Sequence, residues 1–484
     1  LKRFIFATLL LGVAWSARAF AFALLLLASA FVGSESTAAE TKRPNIVVFL
    51  ADDLSTLDVA PYGERVIRTP NISRLAAAGM TFDRAYVASP SCAPSRAALL
   101  TGLMPARNGA EANHSAPRAE IKKWPAYFRE LGYEVVAFGK VGHYKQTADY
   151  GFDRSEHMGF HDPQAIPTAV EYLTAHDAAS AKPLCLMVGT HWPHVPWPEK
   201  NLGYAPSSLA LPAGSIDTPA TREWRARYAA AVTLCDDELG AVREAALRTL
   251  GDEALFVFTS DHGAQWPLGK WNCYEAGVNV PLVIAWPGRV QAGARSEAMV
   301  SWIDLLPTLV EAAGGAAPAD IDGQSFLNVL EGRRDRHRDR IFTTHSNDRT
   351  WNIYPMRAVR EGDWKLIVNL HPEFAFTTHI DLPGNLGQRA YFATWEAAAK
   401  TDPEAAELLR RYHQRPVVEL YDLSVDPTER NNLADDPAQA ERVRAMRQTL
   451  DEWMREQGDK QTVFVTPRLL SDPKSYGPDA PPGN

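Results

Sequence analysis

Two pairs of side chains stand at the ends of apolar runs and carry groups that bind cations. Asp52-Asp53 follow Ile46-Val47-Val48-Phe49-Leu50, and Asp261-His262 follow Phe256-Val257-Phe258-Thr259. Adjacent aspartates also make good turns. Three carboxylates with one imidazole, however, form an oxygen-rich donor set that suits a hard divalent cation, Ca2+ first and Mg2+ second, over zinc. A second set is cationic or basic: Lys140 and His143 in Gly139-Lys140-Val141-Gly142-His143, His191 and His194 in His191-Trp192-Pro193-His194-Val195-Pro196, and Lys270 in Pro267-Leu268-Gly269-Lys270-Trp271. Each of these alone reads as a surface charge or a satisfied core histidine. The third feature is Cys92, in Ser91-Cys92-Ala93-Pro94-Ser95-Arg96-Ala97-Ala98-Leu99-Leu100-Thr101-Gly102. Pro94 suits a first helical turn and Gly102 can close the helix, so Cys92 is expected at a helix N-terminus. Free N–H groups and the macrodipole attract an anion there, and Arg96, one turn on, reaches the same place. A cysteine ahead of a helix is by itself more often a small buried hydrophobe.

The elements that must position these groups alternate. Strands are predicted at 44–50, 134–138, 184–188, 254–259 and 281–285, and helices at 71–78, 92–101, 124–131, 168–175, 220–247 and 305–313. The first strand is apolar throughout, the profile of a strand covered on both faces. The fold class expected is α/β, a large mostly parallel sheet sandwiched between helices. Every polar candidate falls beyond the carboxyl end of a strand, where such sheets place their sites. Past Asp322-Gly323 the texture changes. A charged run, Arg333 to Arg340, precedes a hairpin of Met356–Arg360 and Trp364–Leu370 about Glu361-Gly362-Asp363, then a short strand at Leu420–Leu423 and an amphipathic helix over 437–456. These are expected to form a smaller α+β domain. The organisation anticipated is a signal segment over 1–39, a catalytic domain over 43–330, a smaller C-terminal domain over 335–470 and a loose tail over 471–484.

Cys92-x-Pro94-Ser95-Arg96 followed by Ala-Ala-Leu-Leu-Thr-Gly resembles the signature of the type I sulfatases, of the alkaline phosphatase superfamily. The resemblance runs from about Arg43 to about Ala434. It implies that Cys92 is converted after translation to formylglycine by a formylglycine-generating enzyme. It further implies that Asp52, Asp53, Asp261 and His262 hold calcium beside that residue. Asparagine is often the fourth ligand elsewhere in the family; His262 matches the iduronate-2-sulfatase group. In Gly139-Lys140-Val141-Gly142-His143 the lysine and histidine are three residues apart rather than the commoner two, also as in that group. The second histidine of the His-x-Pro-His-x-Pro segment is the active one in the family, which favours His194 over His191. By the same resemblance Lys270 meets the sulfate and the leaving oxygen, and Asp261 accepts the proton of the attacking hydroxyl. The cycle implied is attack of the hydrate on sulfur, departure of the leaving group assisted by His194 and Lys270, then proton removal by His143 that expels sulfate. A sulfate monoester is anionic, so Arg96, Lys140, Lys270 and the metal would have to neutralise its oxygens. Serine or unmodified cysteine at position 92 lacks the second hydroxyl and would trap covalent sulfate.

A chain of 484 residues exceeds one ordinary core, and its 46% hydrophobic and 22% charged content is that of a globular protein. A net charge of −8 argues against nucleic acid as a partner. Four cysteines (Cys92, Cys185, Cys235, Cys273) make no disulfide framework or metal-pair spacing, and Cys185 reads as core. Lys2 and Arg3 ahead of apolar runs at 4–15 and 20–32 read as an export signal cleaved before Pro44, which predicts a periplasmic or secreted protein with no stable membrane span. An uncleaved anchor is the alternative, and Arg18 interrupts the apolar stretch. Asn71-Ile72-Ser73 and Asn113-His114-Ser115 fit the glycosylation acceptor pattern, which chance also produces at this length.

The segments around His345-Ser346-Asn347, Tyr354–Val359, Leu366–Leu370 and Glu419–Leu423 are similar to sulfamidase, the heparan N-sulfatase. The metal and lysine motifs lean toward the iduronate-2-sulfatase group. The substrate expected is a sulfated carbohydrate of heparan type, with N-sulfate and O-sulfate both open. Two other functions fit parts of the pattern: a phosphonate or phosphate monoester hydrolase of the same superfamily, and a non-catalytic binder of anionic glycans.

Overall fold

The protein is described from a computed structural model, in residues 43–157, 159–177, 182–384 and 387–483. The export signal read over 1–39 lies outside the described residues. Residues 44–484 form one compact unit. Among the described residues no helix is long and apolar enough to cross a membrane.

The principal sheet has eight strands in the order Arg154–Glu156, Glu134–Gly139, Leu184–Gly189, Ile46–Ala51, Leu255–Ser260, Leu282–Ala285, Met80–Phe82, Ala294–Ser296. The first five are parallel; Leu282–Ala285 runs antiparallel to both of its neighbours. This is the α/β sandwich expected. Its central strands are apolar on both faces because both are covered. Alternate residues Val47, Phe49, Val188, Phe256 and Phe258 belong to one buried cluster, with side chains of the helices Pro70–Ala78, Ala165–Ala175 and Pro219–Leu250. Their neighbours Ile46, Val48, Leu50, Met187 and Val257 belong to another, with Leu99 and Leu100 of the Cys92–Thr101 helix, Trp124, Phe128, Leu305 and Leu309.

The second sheet is antiparallel, in the order Arg340–Asp348, Asn352–Glu361, Trp364–Asn369, Val418–Asp422. One face carries Val359, Leu366, Val368 and Leu420 against Met446, Leu450 and Met454 of the Ala440–Gln457 helix. The other carries Tyr354, Met356, Ala358 and Ile367 into the cluster that also packs the principal sheet. The seam between the sheets holds a buried ion network. Lys365 Nζ lies 3.0 Å from Glu275 and 2.9 Å from Glu429, and Arg360 Nη1 lies 2.6 Å from Glu275.

Several features depart from the sequence reading. The charged run at Arg333–Arg340 leads into a nine-residue strand, Arg340–Asp348, that opens the second sheet. Helices Arg389–Ala398 and Pro403–His413 pack Phe392, Trp395 and Tyr412 into the core although no element was expected there. The tail expected to be loose is folded back. The Arg468 guanidinium donates to the Ser475 carbonyl at 2.7 Å and to the Pro481 carbonyl at 3.0 Å, and Ala480 is buried.

Candidate active site

Four adjacent strands of the principal sheet end together, and each delivers groups to one place. Gly139 has φ +72°, and a Cβ there would lie 2.1 Å from the Gly189 carbonyl oxygen. A Cβ on Gly189 would equally meet the Lys140 oxygen at 2.1 Å. Only glycine at both positions lets these strand ends close, which sets Lys140 against the neighbouring strand. Asp53 also takes the left-handed conformation, φ +69°, which aspartate tolerates better than most residues. Its N–H donates to Asp261 Oδ1 at 3.1 Å, and the Leu54 N–H donates to Ser260 Oγ at 3.0 Å, so the two metal-type strand ends are stitched together.

Cys92 begins the helix Cys92–Thr101, with Gly102 closing it in the left-handed conformation at φ 67°. The Ala93 N–H, one of the free groups of the first turn, donates to Asn113 Oδ1 at 3.0 Å. Asn113 is therefore part of the support for this helix, and this acceptor asparagine is itself buried. The other pattern's Asn71 likewise donates its side-chain amide to Asp236, at 2.9 Å.

Cys92 Sγ lies 3.2 Å from His262 Nε2, 3.6 Å from Lys140 Nζ and 3.9 Å from Asp52 Oδ1. Ligand atoms of Asp52, Asp53, Cys92 and His262 all lie within 4.8 Å of one another, and all four residues are buried. Asp261 adjoins this group, with Oδ2 3.5 Å from His262 Nε2. His262 Nδ1 is 3.0 Å from the Gly263 carbonyl, so it carries the hydrogen and Nε2 turns its lone pair on the cluster.

Three cations answer the three carboxylates. Lys140 Nζ is 2.5 Å from Asp52, Lys270 Nζ is 2.9 Å from both oxygens of Asp53, and Arg96 Nε is 2.8 Å from Asp261. The Arg96 guanidinium also donates to the Lys140 carbonyl and approaches Asp52 at 3.4 Å. Burial pushes the Asp52 carboxyl up, but Lys140, His194 and Arg96 outweigh it and hold the group well below its ordinary value. In Asp53 burial prevails over Lys270 and His262, and its value is raised. Burial likewise pushes the Cys92 thiol up to about 12, despite Lys140 and Lys270. The unmodified thiol is thus protonated at neutral pH and is a poor nucleophile.

The imidazoles stand around this core. His194 Nε2 is 3.9 Å from Asp53 Oδ2, with Nδ1–H donated to the Val195 carbonyl at 2.6 Å. His191 instead packs against His161 and Trp192. His143 is buried, and its Nε2 lies 2.7 Å from Nδ1 of His114. Burial first and Lys140 second hold His143 well below the ordinary histidine value, so it is neutral. His114 and its further partner Asp348, at 3.2 Å, were not singled out in the sequence. The only signal was local, a histidine inside Asn113-His114-Ser115, and its partner lies 234 residues away.

The family model for sulfatases matches residues 44–316, the stretch that carries every group described above except Asp348. The chain belongs to the sulfatase family. A second model, N-sulphoglucosamine sulphohydrolase, C-terminal, matches residues 265–382 of this sulfatase. Over 88% of its length the chain is 31% identical to an ulvan-active sulfatase of Formosa agariphila, covering 82% of that protein. It is 28% identical to human N-sulphoglucosamine sulphohydrolase, over 86% of this chain and 91% of the relative. Among solved structures, one determined with its substrate D-glucosamine-2-N,6-O-disulfate matches with a TM-score of 0.64 at 21% identity, covering 88% of this chain and all of that one. A phosphonate monoester hydrolase from Silicibacter pomeroyi matches as well, with a TM-score of 0.66 at 18% identity over 88% of this chain and 99% of that one. At those identities the likeness is one of fold. The activity of the family is sulfuric ester hydrolysis. Membership implies a metal ion and a formylglycine, and the residues fit both: carboxylate oxygens and the free Nε2 of His262 converge on the side chain at position 92.

Proposed function

We propose that this sulfatase hydrolyses sulfate esters or N-sulfates on carbohydrate, heparan-type fragments favoured, with formylglycine formed from Cys92 as the nucleophilic residue. The observation that carries the proposal is the convergence of Asp52, Asp53 and His262 on Cys92 Sγ, the atom that stands where a hydrate oxygen would be. Asp52, Asp53, Asp261 and His262 would hold the metal, a hard divalent cation (Ca2+ first, Mg2+ second) rather than zinc, because the protein donors are mostly oxygen. When bound, that ion supplies Lewis acidity that lowers the pKa of a hydroxyl beside it. Hydrated formylglycine supplies two hydroxyls on one carbon, one to attack sulfur and one whose proton is removed to expel sulfate.

The chain's own residues do the rest. Lys140, Lys270 and Arg96 balance the three aspartates, so a divalent ion leaves the pocket net positive and able to hold a singly charged sulfate group in an acidic protein. Lys270 and His194 both reach Asp53, at 2.9 and 3.9 Å, and are the groups to meet the leaving oxygen. Arg96 is fixed by Asp261 and the Lys140 carbonyl, so its charge needs no reorganisation when sulfate arrives. His143, neutral and buried, takes the proton of the second hydroxyl.

The heparan preference is supported by the sulphohydrolase C-terminal match over residues 265–382 and the N-sulphoglucosamine relative. A second reading, sulfated algal polysaccharide of the ulvan type, is supported by the relative at 31% identity. The export expected from the N-terminal sequence suits either polymer, which a cell meets outside its cytoplasm.

The test joins mass and turnover. After coexpression with a formylglycine-generating enzyme, the peptide containing Cys92 should lose about 18 Da, the change from CH2–SH to CHO. Sulfate release should then be measured from N-sulfated and O-sulfated heparin disaccharides, from ulvan oligosaccharides and from a phosphonate monoester. Release from heparin disaccharides supports the proposal, and release from ulvan alone transfers it to the second reading. Full activity with an unmodified thiol, or hydrolysis of the phosphonate alone, refutes the sulfatase mechanism.

A further inference from the structure

The strand Arg340–Asp348, which the sequence does not announce, ends against the active site. Its last residue, Asp348, is buried, with Oδ2 accepting the Trp271 indole N–H at 2.9 Å and Oδ1 lying 3.2 Å from His114 Nε2. His114 Nδ1 in turn lies 2.7 Å from His143 Nε2. The far nitrogen of that ring, His143 Nδ1, is buried and has no hydrogen-bond partner among the described residues. Asp348, His114 and His143 therefore form a line that starts in the C-terminal sheet and ends on an unoccupied ring nitrogen.

A carboxylate can only accept, so the line has one direction when the rings are neutral. Asp348 takes the hydrogen of His114 Nε2. His114 Nδ1 is then a lone pair and takes the hydrogen of His143 Nε2, and His143 Nδ1 is left as a lone pair. We infer that Asp348 and His114 are positioning residues that fix His143 in the Nε2–H tautomer, so that His143 Nδ1 is the atom that removes the proton when sulfate is expelled. This rests on the reading of His143 given above. In that step the O–H bond breaks with its proton going to Nδ1, the electron pair becomes the second bond of the aldehyde C=O, and the C–O bond to sulfate breaks with its pair leaving on sulfate.

Two further observations agree. Burial pushes the Asp348 carboxyl up, but hydrogen bonds from His114 and Asn113 and the nearby His379 outweigh it and hold the group well below its ordinary range, so it stays an acceptor. The line is also anchored at both joints. The Asn113 N–H donates to the Asn347 carbonyl at 2.8 Å, and the Gln146 amide donates to the His114 carbonyl at 2.9 Å. One polypeptide neighbourhood thus supports the Cys92 helix through Asn113 and the base through His114.

The test reads the tautomer directly, by 15N NMR of full-length protein labelled at histidine, with the His143 signals assigned by loss in a His143→Gln variant. An unprotonated Nδ1 on His143 is expected, and an unprotonated Nε2 overturns the inference. Because that spectrum needs no turnover, it stands even if the sulfatase reading fails; that reading is tested separately by the Cys92 mass and by Cys92→Ala. In kinetics, Asp348→Asn offers an amide N–H to His114 and reverses the line, so kcat should fall by about 10²-fold or more with KM within about threefold. His114→Asn keeps an acceptor where Nδ1 stands and should retain more kcat than His114→Ala, at equal formylglycine content. Asp348→Asn at wild-type kcat, or equal losses in His114→Asn and His114→Ala, would sink the proposal. If Asp348→Asn does not fold, the wild-type spectrum and the His114 pair still decide it.

Discussion

Two of the buried charge clusters among the described residues bear comparison, and only one of them has the makings of a catalyst. At the strand ends Asp52, Asp53 and Asp261 face Lys140, Lys270 and Arg96. At the seam between the sheets Glu275 and Glu429 face Lys365 and Arg360. Charge density and burial are similar, and neither distinguishes a site from a structural network. The difference lies in what stands beside the charges. The strand-end cluster adds metal-ligand atoms that the ion pairs do not consume, Cys92 Sγ and the Nε2 of His262 beside it, and it opens a helix N-terminus toward them. The seam has neither a thiol nor an imidazole in its ion pairs, and its cations and carboxylates are spent on each other.

That contrast can be broken by substitution. Cys92→Ala should lower sulfate release by about 10⁴-fold or more while leaving the melting temperature unchanged, because it removes the reacting group and no ion-pair partner. Lys365→Met should do the reverse. It strands Glu275 and Glu429 without their shared cation and should cost about 3–5 kcal/mol in a denaturant melt, with kcat per folded molecule unaltered. Loss of activity without loss of stability in Lys365→Met would erase the distinction. A chelator sharpens it from the other side. Removal of the metal should abolish turnover and lower the melting point, Ca2+ should restore both, and a saturating concentration of about a hundred times the Kd corresponds to about 2.7 kcal/mol. The same treatment of Asp53→Asn should produce no such shift.

The smallest effect concerns pH. Asp381, in the C-terminal half, is buried and raised to about 7 by that burial, despite hydrogen bonds from Thr378 and Tyr412. Its folded value lies above its unfolded one, so between about pH 4 and 7 the folded state holds the extra proton and stability declines as pH rises. Asp381→Asn should remove that decline, gaining about 1–3 kcal/mol at pH 8 and little at pH 4. Parallel stability–pH curves for the two proteins would contradict it.

The same contrast explains what the sequence made legible. The fold class followed from apolar strands such as Ile46–Leu50, and the groups that gather at the site each sit within a few residues of a strand end or helix start. Local order was enough because a parallel sheet converts strand ends into spatial neighbours. His114 and Asp348 were missed for the opposite reason: their contact depends on where the end of the strand Arg340–Asp348 packs against the loop that carries His114, 234 residues away, information that no window of sequence contains. The edge strands Arg154–Glu156 and Ala294–Ser296 have three residues each, too few to show a period, and they gain their definition from the neighbour they pair with. Helices Arg389–Ala398 and Pro403–His413 take their place from packing Trp395 and Tyr412 into the shared core.

Cys92 is 2% exposed, at the start of a helix in which every residue is buried. The conversion we propose for Cys92 requires an enzyme to reach that side chain, and the finished fold does not expose it. Under that proposal modification and folding compete for the same stretch of chain, and the order in which they occur decides the fate of each molecule. A copy that folds first keeps its thiol sealed inside an intact scaffold, correctly shaped and permanently inert. If Cys92 is converted as proposed, the specific activity of a preparation records timing during synthesis, and a rise in yield from faster folding would lower it.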